Sequence, residues 1–214
     1  MNTIVMPQNN SFDSVAKTYL ALGDSYTIGQ SVETNERFPA QTAELLKADD
    51  IIVATPEYIA TTGWTTIDLA DAITARNPHG PYDVVSLLIG VNDQYQFRDT
   101  TDYRQRFTQL LLKAIELTGG KKDNVFVLSI PDYSVTPFAS GSDTEEIRKQ
   151  VDEFNAINKE VTLAFKVSYT NITDLTRRAG TDSTLLAADG LHPSGKEYLE
   201  WAKLLAPQME KVLK

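Results

Sequence analysis

Short apolar runs alternate with helical patterns from one end of the chain to the other. The runs cover residues 18–22, 51–54, 84–89, 125–130 and, more weakly, 167–172. Three of the five are continuously apolar rather than alternating, the pattern of strands buried on both faces. Helices are predicted between and after them, over residues 38–47, 65–76, 102–118, 144–166 and 194–213. The fourth helix opens with a capping-box pattern from Ser142 to Glu145 and carries Ile147, Val151, Phe154, Ile157 and Val161 at helical spacing. The last keeps Tyr198, Trp201, Leu205, Met209 and Val212 on one face, with Pro207 predicting a kink or break.

Strand–helix alternation of this kind predicts an α/β fold, a parallel five-stranded sheet with right-handed crossovers and helices on both faces. Ligands of such folds bind beyond the carboxyl ends of the strands. Gly23-Asp24-Ser25 follows the first strand, Thr62-Gly63-Trp64 lies in the loop after the second, and Gly90-Val91-Asn92-Asp93 follows the third. All three fall on the same edge. No repeat, low-complexity stretch or linker divides the chain, so residues 18–214 read as a single domain and residues 1–17 as an N-terminal extension.

Composition narrows the function. At 214 residues, 42% hydrophobic and 23% charged, the chain reads as an ordinary globular protein. A net charge of -9 argues against a nucleic-acid partner. The absence of cysteine removes disulfides, thiolate metal sites and a cysteine nucleophile together. The first ten residues have neither a basic start nor a long apolar stretch, and no run is long enough to span a bilayer, so the expected location is cytoplasmic. Two sequons, at Asn9 and Asn171, are patterns too common to carry weight.

The chemistry converges on Ser25. Serine is a poor nucleophile unless a neighbouring base takes its proton, and the chain holds two histidines. His79 sits in a Pro/Gly-flanked loop entering the third strand at its amino end, the wrong side of the sheet. His192 follows the last strand, on the side of Ser25, and is the base by elimination and topology. Its second nitrogen needs a partner to hold one tautomer, and Asp189, in a turn with Gly190 and Pro193, can fold back to supply it. Acyl transfer also needs donors for a developing oxyanion. The Ser25 N–H, the Gly63 N–H and the Asn92 side-chain amide are the candidates on the correct edge.

Each residue also has a plainer use. Ser25 suits a helix N-cap, Asn92 a turn, and Asp189 a turn that satisfies its own backbone. Asp24 and Asp93 read as braces for their loops, and His79 as a structural loop residue. Tyr26, Trp64, Tyr95, Phe97 and Tyr133 either line a substrate pocket or pack loops onto the core. Apart from Asp189 and His192, no carboxylate–histidine cluster has metal-ligand spacing.

Taken in order, Gly23-Asp24-Ser25-Tyr26, Gly63, Gly90-Val91-Asn92-Asp93 and Asp189-Gly190-Leu191-His192-Pro193 resemble the blocks of the GDSL/SGNH hydrolases, a family of serine esterases and lipases. The resemblance spans nearly the whole chain from Thr18. It implies a flavodoxin-like three-layer α/β/α sandwich with Ser25 as nucleophile, His192 and Asp189 completing a triad, and Gly63 and Asn92 completing the oxyanion hole. It further implies hydrolysis of small-molecule esters or thioesters without metal or organic cofactor. The segment from Ser129 to Tyr133 looks like the family's loop after the fourth strand. Two departures stand out. The first block reads Gly-Asp-Ser-Tyr in place of the commoner Gly-Asp-Ser-Leu, and Trp64 follows Gly63 where smaller or polar residues are usual, which suggests a bulky wall near the site.

Three functions compete on this reading. The leading one is an esterase, lysophospholipase or thioesterase acting through an acyl-serine intermediate. A carbohydrate O-deacetylase or acyltransferase would share the triad and differ only in its loops. A non-catalytic binding relative is disfavoured because every expected catalytic residue is present.

Overall fold

A computed structural model describes residues 15–96 and 99–214; Phe97 and most of the segment read as an N-terminal extension lie outside them. In chain order the elements are β1 (Tyr19–Gly23), α1 (Ser25–Ile28), α2 (Phe38–Ala48), β2 (Glu57–Ala60), α3 (Thr66–Arg76), β3 (Val84–Leu88), α4 (Val91–Tyr95), α5 (Thr100–Leu117), β4 (Val125–Leu128), α6 (Thr144–Ala164), β5 (Ser168–Thr170), α7 (Thr173–Thr176) and α8 (Gly195–Leu213).

The strands form one parallel sheet in the order β2-β1-β3-β4-β5, the flavodoxin-like arrangement. Every residue of β1, β3 and β4 is buried, which is why these strands are almost wholly apolar; the one polar side chain, Ser86, accepts the Tyr19 hydroxyl at 2.9 Å. The chain moves from β1 out to β2, then back across β1 to β3 and on to β5. With right-handed crossovers, that reversal puts α2 on one face and α3, α5 and α6 on the other. The packing agrees: α2 lies against α8, while α5 contacts both α3 and α6. On the α2/α8 side, Phe38, Tyr198 and Trp201 stack with ring centroids 5.0–6.3 Å apart.

Three local expectations are corrected. The second strand is Glu57–Ala60, not residues 51–54. The earlier run makes only an isolated parallel bridge, in which the Lys17 N–H reaches the Ile52 carbonyl and the Ala54 N–H reaches the Lys17 carbonyl, each at 2.8 Å. Pro56 has no N–H to give, so the ladder resumes only at Glu57, opposite Leu20. The cap of α6 is Asp143 rather than Ser142; its carboxylate accepts the Glu146 N–H at 3.0 Å. Pro207 does not break α8, which runs on to Leu213. Both Pro207 and Lys203, whose carbonyl the ring deprives of a donor, face solvent, while Leu205, Ala206 and Met209 keep the other face buried. Among the described residues no helix is long and apolar enough to cross a membrane.

Candidate functional site

Three blocks of the site follow the ends of strands β1, β2 and β3. β1 stops at Gly23, and the buried Asp24 caps α1 by accepting the Tyr26 N–H on Oδ1 at 3.0 Å. Ser25 is the first residue of α1, so its own N–H has no acceptor within the helix. After β2, Gly63 turns the chain at φ +81°, in the left-handed region that favours glycine, with open space where a side chain would be. After β3, Gly90 takes φ +129°, and an added Cβ would meet the Tyr103 hydroxyl at 2.2 Å. That turn launches α4, from which the Asn92 amide donates to the Trp64 carbonyl at 3.0 Å. Asn92 thereby holds the Gly63 loop and keeps a second amide hydrogen for another acceptor. Asp93 braces the same junction from beneath, accepting the Thr66 N–H at 2.8 Å and the Thr66 hydroxyl at 2.6 Å.

The turn before α8 brings His192 to the same edge. Its Nδ1 lies 2.8 Å from Asp189 Oδ2. A carboxylate only accepts, so Nδ1 carries the proton and Nε2 is left as the acceptor. Asp189 receives four hydrogen bonds in all. Oδ1 takes the backbone N–H groups of Leu191 and His192, each at 2.9 Å, and Oδ2 takes the Ser31 hydroxyl at 2.6 Å besides the imidazole. Partial burial works to raise the Asp189 carboxyl, but the Ser31 hydroxyl and the backbone and imidazole N–H groups outweigh it and hold the group well below the usual carboxylate range. His192 is itself buried, with the Tyr26 ring against it at 4.9 Å between centroids.

Ser25, Gly63, Asn92 and His192 line one cavity of about 120 Å³. Tyr26, Tyr95 and Tyr133 line it too, whereas Trp64 does not. The indole packs half-buried against the core, and only its carbonyl, through Asn92, serves the site. Phe97 lies outside the described residues. His79 is exposed in the loop before β3.

The cavity also has walls that sequence reasoning missed: Thr62, Val91, Leu191 and Phe138. Phe138 sits in a short 3-10 turn after β4 and forms an aromatic cluster with Tyr95 and Tyr133, centroids 5.9–6.1 Å apart. Its signal was a large apolar residue beside Pro137 in a loop otherwise rich in Ser and Gly. Asp132 fastens that loop, receiving the Ser134 N–H at 2.9 Å and Arg177 Nε at 2.8 Å. A larger open groove of about 1070 Å³ runs between α2 and residues 52–58 but contains neither Ser25 nor His192. No group of three or more metal-ligating side chains occurs among the described residues.

The arrangement therefore offers a buried hydroxyl, an imidazole with its free nitrogen set by a carboxylate, and several N–H donors around one small cavity. A search of curated protein sequences found no match to this chain. Solved structures share its architecture. The crystal structure of TesA superposes with a TM-score of 0.71 at 18% identity, covering 92% of this chain and 99% of its own. The psychrotrophic esterase EstA from Pseudoalteromonas sp. gives 0.69 at 17% identity, over 91% and 97%. Axe2, an acetylxylan esterase from Geobacillus stearothermophilus, gives 0.67 at 18% identity, over 90% and 94%. At such identities the likeness is one of fold. The sequence itself matches the GDSL-like lipase/acylhydrolase family over residues 21–198, most of its length. The chain belongs to that family and is an ester-hydrolysing enzyme.

Proposed function

We propose that the protein hydrolyses small carboxylic esters carrying short acyl groups, by way of an acyl-Ser25 intermediate. The observation that carries this reading is the 2.8 Å contact between Asp189 and His192 Nδ1 at a cavity that also contains Ser25, Gly63 and Asn92.

In the mechanism, Ser25 Oγ attacks the ester carbonyl as His192 Nε2 removes its proton. Asp189 stays ionised and stabilises the imidazolium that forms. The carbonyl oxygen becomes an oxyanion and receives the N–H groups of Ser25 and Gly63 and the second amide hydrogen of Asn92. Collapse breaks the bond to the alcohol oxygen, which leaves with the proton from His192. A water molecule, activated by the same imidazole, then attacks the acyl-serine and restores Ser25. Thioesters fit the same steps with a thiol as leaving group.

The acyl size follows from the cavity. The cavity of about 120 Å³ is open to solvent, and its walls Tyr26, Tyr133, Val91 and Leu191 leave a small apolar recess that supports a short acyl group. Tyr95 and Phe138 remain 51% and 48% exposed beside it, offering apolar faces to the alcohol portion. Those flat exposed rings also support a second reading, removal of acetyl groups from carbohydrate, the substrate class named for Axe2.

A phosphonofluoridate probe with intact-mass detection tests the nucleophile. One adduct on the wild-type chain and none on Ser25→Ala is expected; an equal adduct on both excludes Ser25. Hydrolysis of a p-nitrophenyl ester series is expected to peak at the shortest chains. Comparison with an acetylated oligosaccharide then separates the two alcohol classes.

A further inference from the structure

The turn that follows α1, Gly29-Gln30-Ser31-Val32, touches three blocks of the site at once. The Gln30 N–H donates to the Ser25 carbonyl at 3.0 Å. Gln30 Oε1 accepts the hydroxyl of Thr62, the neighbour of Gly63, at 2.6 Å. The Ser31 hydroxyl donates to Asp189 Oδ2 at 2.6 Å, across 158 residues of sequence. Val32 packs against the hydrophobic core and anchors the far end. The turn is tight because two of its residues are left-handed, Gly29 at φ +69° and Ser31 at φ +67°. Glycine adopts that conformation freely; a serine is strained there, and such strain persists where surrounding contacts over-determine it.

We propose that Ser31 is a positioning residue for the triad acid, with Gln30 bracing the Gly63 loop from the same turn. The proposal rests on the reading of Ser25, His192 and Asp189 given above. The Asp189 side chain is 30% exposed, so water competes for its oxygens. The two backbone N–H groups fix Oδ1, but they leave the carboxylate plane free to tilt about them. Ser31 supplies the second donor on Oδ2, the oxygen that faces the imidazole, and so sets the direction from which Oδ2 meets Nδ1–H. A hydroxyl on that oxygen also draws charge from it, which keeps the carboxylate an acceptor rather than a base. Ser31 acts through Asp189 and touches no reacting atom.

Ser31→Gly is the cleanest variant, because it removes the hydroxyl and relaxes the backbone instead of straining it. The melting temperature is expected to stay within about 3 °C of wild type, with KM unchanged. The kcat and the phosphonofluoridate labelling rate are expected to fall about tenfold, the size of one lost hydrogen bond to a charged group. Ser31→Ala removes the same hydroxyl but keeps the backbone strain that Ser31 already carries, and is expected to be less stable than Ser31→Gly.

The second measurement does not depend on turnover. The imidazole Nδ1–H proton of His192, observed downfield by NMR and assigned with His79→Gln, is expected to shift in Ser31→Gly and to remain in place in Thr62→Val, which cuts only the Gln30 link. A wild-type resonance position in Ser31→Gly, or kcat within about twofold of wild type, overturns the proposal. Failure of the wild-type chain to label at Ser25 overturns the reading of the nucleophile instead, and the NMR comparison still reports on Ser31.

Discussion

The ring of Tyr26 rests against the imidazole of His192, centroids 4.9 Å apart and planes tilted by 51°. Tyr26 directly follows Ser25 in α1 and is buried. The residue beside Ser25, the proposed nucleophile, thus forms a wall against the imidazole. An aromatic pair of this kind contributes about 0.5–1.5 kcal/mol beyond simple burial. Tyr26→Phe keeps the wall and is expected to keep kcat near wild type. Tyr26→Ala opens a cavity, with an expected cost of about 3–5 kcal/mol in stability, and frees the imidazole, so kcat falls as well. Urea denaturation and steady-state kinetics on the two variants check both halves.

Asp189→Asn separates orientation from folding. Asparagine keeps an oxygen for the Leu191 and His192 N–H groups, so the turn and the fold are expected to hold, with some stability lost along with the carboxylate charge. Its amide nitrogen, placed where Oδ2 now meets Nδ1, donates instead of accepting, and the imidazole takes the opposite tautomer with its proton on Nε2. The expected loss in kcat is on the order of 10⁴-fold. Wild-type turnover in this variant makes Asp189 a turn residue and nothing more.

Asn92 donates one amide hydrogen to the Trp64 carbonyl, and in the proposed mechanism the other meets the oxyanion. Asn92→Ala is expected to lower kcat by about 10²–10³-fold with little change in KM, because the lost donor matters only once charge develops on the carbonyl oxygen. Asn92→Asp is nearly isosteric but presents acceptors to an oxyanion and to a carbonyl. It is expected to be at least as impaired. A KM effect without a kcat effect in either variant would assign Asn92 to ground-state binding.

On the proposed reading the aromatic cluster lies where the acyl and alcohol portions meet: Tyr133 is an acyl wall, and Phe138 packs against it from the alcohol side. Phe138→Ala removes one of the three rings of the cluster with Tyr95 and Tyr133 and enlarges the mouth of the cavity. The expected result is a shift of the p-nitrophenyl ester profile toward longer chains, with acetate turnover reduced. An unchanged chain-length optimum would confine Phe138 to the alcohol portion, with no hold on the Tyr133 wall.

The strands that lead into the Ser25 and Asn92 turns are legible because burial on both faces leaves a nearly uninterrupted apolar run, broken only by the buried Ser86, with a glycine at the turn after each. The edge strand was misplaced by a few residues. Its apolar run at 51–54 and the real strand at Glu57–Ala60 are separated by Pro56, and periodicity cannot say on which side of a proline the ladder forms. His192 and Asp189 could be paired from sequence because they sit three residues apart. Ser31 could not, since nothing local marks a serine that meets an aspartate 158 residues away. Phe138 escaped for the same reason: an exposed aromatic in a loop gains meaning only from Tyr95 and Tyr133, which reach it from other parts of the chain.

Asp24 predicts how stability changes with pH. Complete burial pushes its carboxyl up to about 8, with the Tyr26 N–H drawing it down and the nearby Asp93 charge adding to the rise. From the ordinary value of 3.8 up to about 8, the folded chain therefore holds a proton that the unfolded chain has released. Stability falls as pH rises through that window and levels off above it. Glu197, also raised by burial, acts in the same direction. Asp189 does not oppose them there, because its lowered value makes its contribution complete once the pH exceeds the unfolded value. The urea midpoint is expected to be higher at about pH 5 than at about pH 9. Asp24→Asn keeps the oxygen that accepts the Tyr26 N–H and cannot ionise, so it is expected to flatten most of that decline. A wild-type midpoint that stays level across the window, or a decline that persists undiminished in Asp24→Asn, rules out a protonated Asp24 beside Ser25.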